Sequence, residues 1–260
     1  MPTLPSIPIP RRRRSSIRRS TDADIVEIKK WIEDQKARDV HGTFHHNWQI
    51  MKKCHEEGKL IVYIDGSSGK PVAYQWGALL TSGILEVRDD IRGKGIGKKM
   101  VERRIADAYK KDECLLHIQC KPSTSIAFWQ KMGFKLLPSV GWNTYAYRIL
   151  EKEHELPADS KPVLVCVYFY PSNRMWKQGS APLFSIAATA AQTSDGVVHL
   201  AERIFYFDPF HSDETNPVVE IVIEGKIHIN KYATHAEAQR SGVRQCRNGF
   251  FIDKIYPLTT

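Results

Sequence analysis

The stretch of this 260-residue chain with the clearest chemical purpose is Arg92-Gly93-Lys94-Gly95-Ile96-Gly97. Its three alternating glycines remove Cβ atoms, so that backbone N–H groups can converge on a ligand. Met100, Val101, Ile105 and Ala108 then form an apolar stripe that predicts a helix over Lys98–Lys111. The glycine-rich amides therefore fall at a helix start, where the first N–H groups lack internal partners and the dipole favours anions. Arg92, Lys94, Lys98 and Lys99 add full positive charge. This spacing suits a phosphate or pyrophosphate. Just upstream, Ile84–Val87 reads as a short buried strand carrying one carboxylate, Glu86, a candidate general base.

Spacing narrows the choice of guest. A Walker loop requires Gly-Lys-Ser/Thr, and Gly97-Lys98 is followed by Lys99, which offers no hydroxyl to magnesium. The dinucleotide fingerprint requires a third glycine where this chain has Met100. What remains is Arg-x-x-Gly-x-Gly after a strand. A second block follows: Leu115–Cys120 reads as a strand with Leu116 and Ile118 in alternation, and Thr124–Met132 as a short helix within Ser125-Ile126-Ala127-Phe128-Trp129-Gln130-Lys131-Met132-Gly133-Phe134. Phe128, Met132 and Phe134 are expected to be core residues. In order and separation the two blocks resemble the GCN5-related N-acetyltransferase (GNAT) superfamily, over about residues 16–150.

That resemblance implies an α/β fold with a mixed sheet and helices on both faces, and a reaction that joins an amine to the thioester carbon of acetyl-CoA. Arg92, Gly93, Lys94, Gly95, Ile96, Gly97 and Lys98 would hold the pyrophosphate. The pantetheine arm would run along the strand edge at Val87 and Arg88. A backbone N–H near Val87 would meet the thioester oxygen where the central strands splay. Ser123 and Trp129 complete the expected cofactor contacts.

One demand calls for a side chain. An ammonium with a pKa near 10 must lose a proton, at a cost of roughly 4 kcal/mol at neutral pH. Glu86 is the nearest carboxylate; the competing role for it is a salt bridge to Arg88, Lys121 or the N-terminal tail. His117 on the adjacent strand is the alternative base. An α-amine of low pKa, such as an aminoacyl ester, needs no base. Where the family often has a Tyr that protonates the leaving thiolate, this chain has Trp129, whose indole is not a usable acid. The Asn that often opens that helix is replaced by Pro122 or Ser123. Proton delivery then falls to Ser123, Tyr145, Tyr147 or water, which gives Glu86, His117 and Tyr145 as the catalytic set.

The elements that position these residues follow from periodicity. Ser16–Ser20 reads as a strand, and Thr21-x-x-Asp24 as a capping box before the helical stripe Ile25, Ile28, Trp31 and Ile32. Gln49–Glu57 is a second helix, and Lys59–Asp65 and Pro71–Leu80 are paired strands around Gly66-Ser67-Ser68-Gly69. Asn143–Leu150 closes the sheet. The resulting order is β-α-α-β-β-β-α-β-α-β-β. The loop His41–Asn47 borders the acceptor side in the family's topology, so His45 and His46 are expected near substrate. With His41, Cys54 and His55 they match no zinc spacing, and no metal is expected.

Glu151–Lys161 is charged, holds two prolines and reads as a linker. Beyond it, Pro162–Tyr170, Leu183–Gln192, Val197–Phe207, Val218–Asn230 and Phe250–Tyr256 are strand-like, with turn signals at Ser194-Asp195-Gly196 and Glu224-Gly225. Thr234–Ser241 is the one helix expected there. Residues 162–260 thus form a smaller strand-rich α+β domain without a recognisable motif.

Composition sets outer bounds. With 42% hydrophobic residues the chain can build real cores, and no apolar run approaches the ~18 residues of a membrane span. Five scattered cysteines and the lack of a signal-peptide pattern suggest a cytoplasmic protein. The net charge of +9 is uneven: residues 1–20 carry six arginines and no acid, residues 21–150 have 21 basic and 16 acidic side chains, and residues 151–260 have 11 and 13. Residues 1–15 are read as a basic, proline-rich, disordered arm, either solubilising or in contact with RNA, tRNA or another polyanion. The expectation is an acetyl-CoA-dependent N-acetyltransferase for a primary amine on a protein, small molecule or aminoacyl-tRNA, its second domain selecting substrate or partner. The alternative is an acyl-CoA-binding module that has lost turnover. A homodimer is an open partner reading, and a membrane is not expected.

Overall fold

The computed structural model describes residues 14–77, 79, 83–137, 143–176, 179–208, 216–246 and 249–258. Apart from Arg14 and Ser15, the basic arm lies outside them. The chain divides into two units: one runs to Lys111 and resumes over Leu116–Arg148, and the other comprises Asp112–Leu115 and everything from Ile149 onward.

The first unit follows the expected element order: β1 (Ser16–Arg19), α1 (Asp22–Ala37), α2 (Trp48–Glu56), β2 (Ile61–Ile64), β3 (Pro71–Trp76), β4 (Ile84–Val87), α3 (Ile96–Lys110), β5 (Leu115–Gln119), α4 (Ile126–Lys131), β6 (Lys135–Leu136) and β7 (Tyr145–Ile149). The capping box before α1 forms, with Asp24 Oδ2 accepting from the Thr21 N–H at 2.8 Å. Strands β1-β2-β3-β4 make an antiparallel sheet in which Val62 faces Tyr74 and Tyr74 faces Glu86. Because side chains alternate along a strand, this row shares one face. Val62 and Tyr74 pack there with Ile28, Trp31 and Ile32 of α1 and Met51 of α2. Tyr63 and Ala73 point the other way, into Ile96 and Met100 of α3. Helices therefore cover both faces.

The sheet is not continuous. Among the described residues β4 pairs only with β3, and β5, β7 and β6 form a separate three-stranded sheet. The edge is marked at the end of β4. The Arg88 N–H donates to the Val72 carbonyl, so by alternation the polar backbone groups of Val87 face away from β3. The Val87 carbonyl accepts from Arg92 Nε at 3.0 Å, which puts a side chain where a further strand would pair.

The second unit is strand-rich: β8 (Ser160–Tyr170), β9 (Phe184–Thr193), β10 (Val198–Phe207), β11 (Val218–Ile223), β12 (Lys226–Tyr232), α5 (Ala236–Arg240), β13 (Arg244–Cys246) and β14 (Gly249–Ile255). They form one seven-stranded sheet in the order β12-β11-β8-β9-β10-β14-β13. Alternating residues such as Val165, Val167, Phe169, Leu200, Ile221 and Ile252 are fully buried on its inner face. Within the strand-like stretch Val218–Asn230 the expected turn at Glu224-Gly225 forms and makes a hairpin: the two residues take positive φ, at 49° and 75°, and reverse the chain. The three-residue strand β13 has too short a pattern to read from sequence.

Residues 152–154 are hydrogen-bonded to β10, with the Arg203 N–H donating to the Lys152 carbonyl and the His154 N–H to that of Ala201. The side chain of Arg203 is 2% exposed. It forks onto Asp253 at 2.7 and 2.6 Å, reaches Asp112 Oδ1 at 3.0 Å and Cys114 Sγ at 3.3 Å, and lies over the Phe251 ring.

Candidate active site

Helix α3 starts at Ile96, two residues before the expected Lys98, so Gly97 lies in its first turn. Gly93 and Gly95 have φ of 81° and 76°, a left-handed backbone that residues with a Cβ seldom adopt, and Gly95 is the cap residue. A Cβ at either would meet nothing within 4 Å, so both face open space. At Gly97 a Cβ would touch Phe128 at 3.4 Å and Val87 at 3.7 Å, ordinary contact distances. The amides of Ile96, Gly97 and Lys98 are the unpaired first-turn donors of a 15-residue helix.

The cations around the loop are placed unequally. Lys94 is exposed, and Lys98 lies 3.7 Å from Glu102. Arg88 is paired with Asp90 at 2.6 Å. Arg92 turns back from the loop to the carbonyls of Val87 and His41, the latter at 3.2 Å. The backbone groups of Val87 face away from β3, and among the described residues no further strand pairs with that edge.

Glu86 is 2% exposed. Its carboxylate accepts from Tyr74 Oη at 2.5 Å, Gln35 Nε2 at 2.9 Å and the Phe44 N–H at 3.2 Å. None of the salt-bridge partners considered for it appears among these contacts. Burial pushes the Glu86 pKa up, and these hydrogen bonds, with one from the Thr43 side chain, only partly offset it. Tyr74 is held far above the usual phenol range by burial and by the neighbouring charge.

His117 (β5) is 6% exposed, and its ring stacks on Tyr145 (β7) with centroids 5.6 Å apart. The structure therefore brings the alternative base and the candidate acid together. Ser123 is exposed in the turn before α4. Trp129 is buried, edge-on to Phe128 and Phe134. His45 and His46 lie ring to ring at 3.7 Å, and burial lowers the His45 pKa. Among the described residues no three His, Cys, Asp or Glu side chains are grouped to hold a metal.

Part of the first unit also matches a known family. Residues 54–136 match the acetyltransferase (GNAT) domain. The match contains β4, the glycine loop, α3 and α4, and leaves α1 and most of the second unit outside. No curated protein matches the chain. Solved structures similar to it include Ard1 from Thermoplasma volcanium, with 14% identity over 52% of this chain and 97% of that one at a TM-score of 0.40. A mosquito arylalkylamine N-acetyltransferase like 5b has 10% identity over 53% and 100%, at 0.41. The yncA protein of Salmonella typhimurium, solved with acetyl-CoA, has 18% identity over 55% and 97%, at 0.40.

Sequence reasoning missed Tyr74, Gln35 and the Phe44 amide as partners of Glu86. One signal was available: Gln35 continues the stripe Ile28, Trp31, Ile32 at helical spacing, and a polar residue inside an apolar stripe requires a buried partner. Among the described residues no helix is long and apolar enough to cross a membrane.

Proposed function

We propose that the GNAT domain binds acetyl-CoA and transfers its acetyl group to a primary amine. The observation that carries this reading is the left-handed Gly95 cap, open to solvent, which aims the α3 amides outward beside the edge of β4 that faces away from β3. In this reading the amides of Ile96, Gly97 and Lys98, with Lys94, hold the pyrophosphate. The outward N–H of Val87 stabilises the oxygen of the thioester as charge develops on it. Glu86, its pKa raised by burial, takes the proton of the incoming ammonium. Tyr145, stacked on His117, returns a proton to the leaving thiolate. The positive charge of the first 150 residues favours an acceptor carried on a polyanion such as tRNA, with the arm of residues 1–15 as a further contact and the second unit selecting the acceptor.

The test is release of free CoA thiol from acetyl-CoA in the presence of small amines, basic peptides and aminoacyl-tRNA. With a lysine-like acceptor, Glu86→Gln should lower kcat by about 10²–10⁴ at neutral pH, and raising the pH should recover much of that loss. A large loss that pH does not restore would remove Glu86 as base and leave His117→Ala as the next variant.

A second reading is favoured by Trp129, which is buried against two Phe rings where the family often has an acidic phenol. In that reading the domain binds acyl-CoA without turnover. Acetyl-CoA binding with no thiol release from any acceptor would establish it.

A further inference from the structure

Gln35 is fully buried near the end of α1, and it uses both ends of its amide. Its Nε2 donates to Glu86 Oε1 at 2.9 Å and lies 3.3 Å from Thr43 Oγ1, while its Oε1 accepts from the Asp89 N–H at 2.9 Å. Asp89 opens the turn Asp89–Ile91 that leads from β4 into the glycine loop. One helical turn on, Arg38 grips the Asp89 carboxylate at 2.7 and 3.1 Å. From the far side, Arg92 reaches the His41 carbonyl and the Phe44 N–H reaches Glu86. The buried carboxylate, the turn into the anion loop and the loop after α1 thus meet on a single amide side chain.

We infer that Gln35 is a positioning residue that holds the Glu86 carboxylate and the Asp89 turn as one unit. A fully buried amide with fewer partners would be costly, because each unpaired polar atom loses its hydration without replacement. Here the amide is satisfied only while Glu86 accepts and Asp89 donates, so displacing either strains the other. The value of this unit to the reaction rests on Glu86 being the base; the two links do not.

The test therefore uses readouts that need neither substrate nor turnover. In the full-length protein with ¹³C-carboxyl glutamate, the Glu86 resonance, assigned by its absence in Glu86→Gln, is titrated against pH. Protection of the Asp89 amide is followed by hydrogen exchange. Gln35→Met keeps the shape and removes both links. It should move the Glu86 midpoint to higher pH, because a donor to the carboxylate is gone, and should speed Asp89 exchange about tenfold. Gln35→Glu keeps an oxygen for the Asp89 N–H while replacing the donor. It should also raise the Glu86 midpoint, yet leave Asp89 protected. A Glu86 midpoint unmoved in both variants, or Asp89 exchange equal in the two, would overturn the inference. Failure of the base reading would appear elsewhere, as thiol release by Glu86→Gln at the normal rate, with these two links intact.

Discussion

Tyr74 and Glu86 stand directly opposite each other on β3 and β4, and the phenol donates to the carboxylate at 2.5 Å. Both sides of this pair are buried; the carboxylate makes the phenol harder to ionise, while the phenol's hydrogen bond favours the ionised carboxylate and offsets only part of the effect of burial. A carboxylate so placed has its pKa raised, chiefly by burial. The sign of the pH effect follows. A group that binds its proton more tightly when folded adds stability that is complete below its unfolded pKa and is lost as pH rises through the folded value.

The first prediction uses that sign. Glu86→Gln cannot ionise, so thermal unfolding followed from about pH 4 to pH 8 should show wild type losing ground to the variant as the pH rises. A wild-type advantage that instead grows with pH would mean that the hydrogen-bond donors outweigh burial and that Glu86 is ionised throughout.

Gly95 and Gly97 should separate backbone strain from packing. Gly95→Ala forces a Cβ into a left-handed cap and should cost about 1 kcal/mol of stability, while Gly95→Asp adds a negative charge at the helix start and should abolish acetyl-CoA binding. Gly97→Ala meets Phe128 at a normal distance and should fold with little loss. Calorimetric titration with acetyl-CoA decides it: unchanged affinity in a folded Gly95→Asp variant would remove the loop from the binding site.

Arg203 should anchor the second unit. Arg203→Met removes the buried cation that bridges Asp253 and Asp112, leaving His154 on Asp253 and Lys152 on Asp112, and should cost about 1.5–3 kcal/mol for the lost charged hydrogen bonds. Burial alone would raise the Asp253 pKa, but Arg203 and His154 hold it below the usual range. Its stabilising contribution is therefore present above the ordinary carboxylate pKa and is lost as the pH falls through the lowered one. Urea unfolding of the variant should show the loss at pH 7 and a smaller one in acid. A difference below about 1 kcal/mol at pH 7 would make the cluster a surface feature.

Deletion of residues 1–13 tests the basic arm without disturbing β1, where Arg18 is already committed to Asp24 at 2.5 Å. If the arm binds RNA, the log–log salt slope of binding should flatten by about 0.7–0.9 for each phosphate that the deletion leaves without a cation. An unchanged slope would leave the arm as a solubilising tail.

Local pattern carried far in this chain. Helical stripes, alternation and turn residues placed the elements of the first unit in order, because each is written within a window of ten residues or so. The glycine loop was legible for the same reason. The surroundings of Glu86 were not: Gln35 is 51 residues away on α1 and Tyr74 is on another strand; the register of β3 against β4 brings Tyr74 to Glu86, and the packing of α1 on the sheet brings Gln35. The splay of the strands near Val87 was expected from the family resemblance rather than from local pattern, and the turn of the Arg92 side chain onto the Val87 carbonyl there was hidden.

Asp112–Leu115 has a consequence for how the protein is made. These four residues leave the ribosome between α3 and the body of β5, yet they belong to a unit whose remaining strands are still untranslated. Asp112 must wait 91 residues for Arg203. Until then Asp112 and Cys114 are without the Arg203 side chain that later bonds to both. Expression of residues 1–150 alone would make that temporary state permanent, so a clean cut of this protein into two independently produced halves has no obvious place along the chain.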